Sequence, residues 1–200
     1  MKKLLLTFFI SFLVISFASA QVKFGYKLGL NVSNIKRTNY NHYSALPGIN
    51  TGVFSNIYFS DKYYVDLELL LSMKGYNSVV VPAGTTSHRL SYVSVPVLMG
   101  FKPSEKFTFQ LGPEMNFLTK AVMKNKKGTK TVSDDFEKFD FGIDAGAAYH
   151  LSKKISLGVR YNYGLSKVIE ERMFDPSGDM ISYKKSGANR VIQLNLSYLF

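Results

Sequence analysis

The chain has 200 residues, 46% hydrophobic and 20% charged, with a formal charge of +11 and no cysteine. That length suits one domain, and the lack of cysteine excludes both a disulfide scaffold and a lipid-modified N-terminal cysteine. After residue 20 no apolar run reaches the roughly 18 residues of a membrane-spanning helix, so only a closed barrel could carry this part of the chain into a bilayer.

The first stretch, 1–20, has a basic start at Lys2 and Lys3, an apolar run "LLLTFFISFLVIS" and a small-residue ending "ASA". These are the parts of a cleaved secretory signal peptide. Its removal leaves 21–200 as a single barrel domain and lowers the formal charge from +11 to +9 through loss of Lys2 and Lys3. For an exported basic protein the expected anions are lipid phosphates and acidic glycans; nucleic acid is not an expected partner.

From Gln21 onward the apolar residues recur with period two, the signature of strands with two unlike faces. The first strand, "VKFGYKLGLNV", sets Val22, Phe24, Tyr26, Leu28 and Leu30 against Lys23, Gly25, Lys27 and Gly29. The second, near 47–59, sets Ile49, Val53 and Ile57 against Gly48, Asn50 and Asn56. The third, near 63–76, sets Leu67, Leu69 and Leu71 against Asp66, Glu68 and Lys74. The fourth, near 89–101, carries Val93, Val95 and Val97 against Tyr92, Ser94 and Gly100, and the fifth, near 106–120, carries Phe107, Phe109 and Leu111 against Thr108, Gln110 and Glu114. The sixth (138–150) opposes Phe141 and Ile143 to Asp140 and Asp144. The seventh (155–166) opposes Val159 and Tyr161 to Arg160 and Asn162. The closing stretch, "NRVIQLNLSYLF", is the eighth.

Short connections at 60–62, 102–105 and 151–153 alternate with long ones near 33–46, 77–88, 121–137 and 167–188. This predicts an all-β, eight-stranded antiparallel up-and-down transmembrane barrel with short periplasmic turns and four longer extracellular loops. The apolar phase is too rich in Phe, Tyr and Leu to fit inside so narrow a barrel, so it faces lipid. The glycines and charges of the other phase then fill the lumen, because a Lys or Arg facing lipid at the midplane costs about 2–4 kcal/mol. The eighth strand is expected to pair with the first and abolish the sheet edge.

Several stretches carry a resemblance: "GYKLGLN" (25–31), "LLSMKGY" (70–76), "YVSVPVLMGF" (92–101), "FQLGPEMNFL" (109–118), "FGIDAGAAYH" and "RYNYGLSKV". In this order the chain resembles the PorT-like outer-membrane β-barrel proteins of Bacteroidetes. The resemblance implies the same barrel in the cell outer membrane. It implies little about role; a few members assist a secretion system.

The inward ionisable set is Lys23, Lys27, Asp66, Glu68, Lys74, Glu114, Asp140, Asp144 and Arg160. It has two readings, a catalytic or proton-relay site and a paired polar core; buried charges must be paired, which favours the core. Strand parity across 151–153 puts Arg160 opposite Asp144 or Gly146 and predicts an Arg160–Asp144 contact. The three histidines, His42, His88 and His150, are spread over both ends, which argues against a metal cluster or a catalytic triad; no cofactor is expected. His42 with Ser44, or His88 with Ser87, is the pairing a lipid-modifying enzyme would need. Pro96 and Pro113 within strands predict bulges or local irregularity.

The basic segment holding Lys124, Lys126, Lys127 and Lys130 is a candidate contact for lipopolysaccharide phosphates. Tyr198 and Phe200 resemble the C-terminal signal read by barrel-assembly machinery. The expectation is a monomeric, non-enzymatic outer-membrane protein with a filled lumen and an envelope-structural, interaction or secretion-accessory role. A narrow solute or ion pore and an outer-membrane lipid-modifying enzyme are the alternatives.

Overall fold

A computed structural model describes residues 21–36, 43–80, 84–126, 128–174, 177 and 180–200. The expected signal peptide, 1–20, lies outside the described residues. The strands are β1 Gln21–Lys36, β2 Tyr43–Tyr58, β3 Tyr63–Val80, β4 Gly84–Phe101, β5 Phe107–Asn125, β6 Gly128–Thr131, β7 Phe139–His150, β8 Ile155–Gly164, β9 Ile169–Phe174, β10 Met180–Ser186 and β11 Ala188–Leu199. Eight of them close a ring in the order β1-β2-β3-β4-β5-β7-β8-β11, every neighbour antiparallel. The closing pair is β11 on β1, from Gly25 opposite Leu199 to Lys36 opposite Ala188.

The two faces follow the alternation of the sequence. Leu30, Leu69, Leu71 and Leu194 are 53–63% exposed on the outer wall, where hydrocarbon replaces water as the solvent. Aromatic residues edge this wall: Tyr63 stacks on Phe101 and Phe107 meets Tyr149 toward the short-turn end, and Phe117 meets Phe139 toward the other. Such girdles mark the two membrane interfaces.

The long-loop end is more regular than the sequence suggests. β3 and β4 run on as a ladder through Ser78–Thr86 to Val80–Gly84, where a loop over 77–88 is expected. The segment 121–137 contains the end of β5 and its hairpin partner β6, and 167–188 contains the β9–β10 hairpin. A strand that has left the bilayer no longer needs an apolar face, so its period-two signal disappears while its ladder continues.

Pro96 and Pro113 do not make bulges. The register on either side of them is kept, although paired residues are skipped beside Pro96 on both of its neighbours. Within the ring the shifts lie elsewhere: on β2 between Ala45 and Asn50, and on β5, where Thr119 is the extra residue between the pairs Tyr92–Leu118 and Ser91–Lys120.

Candidate functional site

The lumen is filled by side chains from every strand of the ring. Two aromatic rings lie across glycines on the neighbouring strand. Phe54 covers Gly25 and Tyr64 covers Gly100, so closely that a Cβ on either glycine would fall 2.4 and 2.3 Å from ring atoms. These glycines make room for bulk in a crowded interior, the aromatic rescue seen in sheet design.

Above the rings lies the first ion cluster. Arg160 on β8 donates two parallel hydrogen bonds to the Glu68 carboxylate, at 2.9 and 2.6 Å, and a third to Gln110 Oε1 at 3.2 Å. β8 and β3 are diametrically opposite in the ring, so this fork ties the barrel across its diameter. Lys27 donates to the same Glu68 and lies 3.9 Å from Asp66. Gln110 donates to Asp66 at 2.7 Å. The pairing puts Arg160 opposite Gly146, and its guanidinium also reaches Asp144 at 3.6 Å.

The second cluster lies nearer the long-loop end. Lys74 donates to Glu114 at 2.6 Å and to Asn116 at 2.9 Å. Asn162 bridges Glu114 and Asp144, and Asn189 donates to Asp140 at 2.8 Å. Among the described residues, the buried carboxylates are Asp66, Glu68, Glu114, Asp140 and Asp144, and the buried cations are Lys27, Lys74 and Arg160. The interior therefore carries an acid excess of two. Lys23 is no part of this network: it is exposed at the short-turn rim, 5.2 Å over the Tyr58 ring. Leu70 and Leu98, buried at 1% and 0% exposure, also face inward between the polar groups.

The long-loop mouth is closed by an apolar cap that the sequence did not reveal. Ile35, Tyr76, Leu90 and Tyr92 from the barrel meet Phe136, Val168 and Ile169 from the loops. Backbone bonds hold the cap down: Glu137 N donates to the Val168 carbonyl, and Val168 N to that of Gly187. The signal in the sequence was the presence of apolar Phe136, Val168 and Ile169 in loop stretches outside the lipid-facing alternation. At the opposite mouth a cavity of about 40 Å³, lined by Asn56, Tyr64, Asp66, Gln110, His150 and Asn195, has space for a few waters.

His88 and Ser87 do not form a nucleophile pair. Neighbours on a strand face opposite ways; His88 stacks on Tyr76 at 4.6 Å under the cap, while Ser87 donates to Asn77 at 2.7 Å. Burial beneath the cap holds the His88 imidazole below its ordinary value of 6.5. His42, of the His42–Ser44 pairing, lies outside the described residues. His150 sits at the short-turn end beside Thr108, at 2.8 Å.

The basic segment divides. Lys124 stands on the outer wall, Lys126 lies near Gly84 across the β3–β4 tip, Lys130 pairs with Met123 on the other face of the ladder, and Lys127 lies outside the described residues. Tyr198 and Phe200 meet edge-on at 6.1 Å, and Phe200 N donates to the Phe24 carbonyl at 3.0 Å.

Structural comparison finds the same architecture elsewhere. The crystal structure of Neisserial surface protein A is similar at a TM-score of 0.56 with 10% identity, over 90% of this chain and 99% of that one. Ail, the attachment invasion locus protein of Yersinia pestis, is similar at a TM-score of 0.50 with 14% identity and the same coverage. Its complex with the heparin analogue sucrose octasulfate gives 0.52 with 16% identity, again over 90% and 99% of the two chains. No curated protein matches the chain in sequence. The sequence family described as outer membrane protein beta-barrel domain matches residues 17–170, most of the chain. An eight-stranded closed ring, an apolar outer wall and this match together show that the chain belongs to the outer membrane protein beta-barrel domain family.

Proposed function

We propose that this outer-membrane barrel is a sealed, non-enzymatic scaffold whose interactions lie in the hairpins and loops it raises above the membrane. The observation that supports this is the lumen itself. Two ion clusters, the Phe54 and Tyr64 rings and the apolar cap occupy successive levels of it. An eight-stranded barrel is just wide enough for such a filling. Its role is then envelope-structural, adhesive or accessory to a secretion machine, which fits a PorT-like placement by motif order. Export through the 1–20 signal peptide, insertion by barrel-assembly machinery and a monomeric state belong to the same reading.

Planar-bilayer recording of the purified barrel tests it. The expected result is no discrete conductance above the bare membrane. Stepwise openings would replace this reading with the narrow pore, and altered lipid A acylation in cells expressing the protein would replace it with the enzyme.

A further inference from the structure

The extra residue at Thr119 changes which way the next side chain points. Below it, Asn116 and Leu118 face inward; an unbroken alternation would put Lys120 inward too. With Thr119 inserted, Ala121 takes the inward position and is fully buried, and Lys120 stands exposed on the outer wall. Bulges commonly re-aim a side chain in this way.

The re-aimed lysine joins two other cations. Above the bulge, β4 and β5 pair as Ser91–Lys120, Arg89–Val122 and Ser87–Lys124. Arg89 is opposite Val122, so Lys120 and Lys124 are its two diagonal neighbours on the same face, a separation of about 7–8 Å between backbones. All three side chains are exposed, and among the described residues none has an acidic partner. The Arg89 guanidinium donates to the Met73 sulfur, at 3.6 Å. Arg190, also on the outer wall, contrasts with it: its guanidinium stacks 3.6 Å over Tyr163 and donates to two backbone carbonyls. Three like charges grouped without a counter-charge repel one another unless an anion joins them.

The position identifies the anion. Immediately toward the membrane on the same two strands is the outward pair Val93–Phe117, and Phe117 belongs to the upper aromatic girdle. The cations therefore stand at headgroup height, directly above the surface that touches acyl chains. A ligand that meets both is an amphiphile with phosphate at its head. We propose that Arg89, Lys120 and Lys124 form a binding face for the phosphates of a diphosphorylated glycolipid of the outer leaflet. The proposal rests on this wall facing the membrane and is independent of whether the lumen conducts.

The test is native mass spectrometry of the full-length processed chain released from micelles, with diphosphoryl lipid A as probe. Dephosphorylated lipid A and inorganic phosphate serve as the other arms. The expected result is retained diphosphoryl lipid, weaker retention of the dephosphorylated form and no displacement by phosphate at equal concentration. Arg89→Gln/Lys120→Gln should reduce retention about tenfold, Arg89→Gln alone about threefold, and Lys130→Gln, on the other face, should leave it unchanged. Heat-modifiable migration reports folding of each variant separately, and Arg89→Lys/Lys120→Arg keeps the charge where the neutral pair fails to fold. Equal retention by the folded neutral variant, equal retention of dephosphorylated lipid, or displacement by inorganic phosphate would overturn the proposal.

Discussion

Replacing Arg160 by Met tests whether the lumen is a paired core. Arg160 supplies the fork to Glu68 and the bond to Gln110, three charge-assisted hydrogen bonds, which at about 1.5–3 kcal/mol each would be a large loss. Removing the guanidinium also removes its own desolvation cost, so the net penalty falls to the range for breaking a buried pair, about 3–5 kcal/mol. That equals a shift of roughly two to three and a half decades in the folding equilibrium. Among the described residues Glu68 would keep Lys27 as its one cationic partner, and the acid excess of the lumen would grow from two to three.

The double variant Glu68→Gln/Arg160→Met restores the excess to its original value and leaves Lys27 near Asp66 at 3.9 Å. It should recover at least half of the loss. The chain has no tryptophan, so urea unfolding in micelles is followed by far-UV circular dichroism and heat-modifiable migration. A single variant within about 1 kcal/mol of the original, or a double variant less stable than the single, would refute the paired-core argument.

Gly100→Ala should destabilise the barrel by about 1–3 kcal/mol through overpacking against Tyr64; Tyr64→Leu added to it should relieve the cost in the same unfolding assay. Phe136→Ala should loosen the cap by about 3 kcal/mol, raising hydrogen exchange over 132–138 and 165–174 while the barrel strands stay protected. Loss of protection throughout the ring would show that the cap is not separable. Glu137 lies below its ordinary value of 4.5, chiefly because Lys185 donates to it. The pair therefore holds the β9–β10 hairpin to the cap above the ordinary carboxyl value, and the tie is lost as pH falls through the depressed one. Protection of 180–186, taken relative to the intrinsic exchange rate at each pH, should fall on acidification, and Glu137→Gln should abolish that pH step.

The period-two alternation made the eight staves, their two faces and their closure legible, because each stave is half in lipid and half in a polar lumen. Side-chain partners were less legible. Strand parity speaks of adjacent staves, so it pointed from Arg160 to Asp144, whereas the closer partner, Glu68, projects from the opposite side of the ring. Leu70 and Leu98 look lipid-facing by type and lumen-facing by position; packing between the ion clusters places them inside. The cap was hidden because Phe136, Val168 and Ile169 have no periodicity of their own and bury only against barrel residues far away in sequence.

The single extra residue at Thr119 also sets how this barrel can vary. Beyond it, the inward positions of β5 pass from even to odd numbers, so deleting Thr119 would remove the bulge and leave Lys120 and Lys124 outward and Ala121 inward, whereas closing the bulge with every residue kept would send Lys120 and Lys124 inward and Ala121 out to the wall. Point substitutions above the bulge act one at a time; loss of the bulge with the sequence unchanged would invert the whole upper stave. Chains of this fold that lack the bulge should therefore carry their β5 cations one position out of step with Lys120 and Lys124, and the spacing from the Gly112-Pro113 pair to the first outward cation would reveal the bulge without a structure.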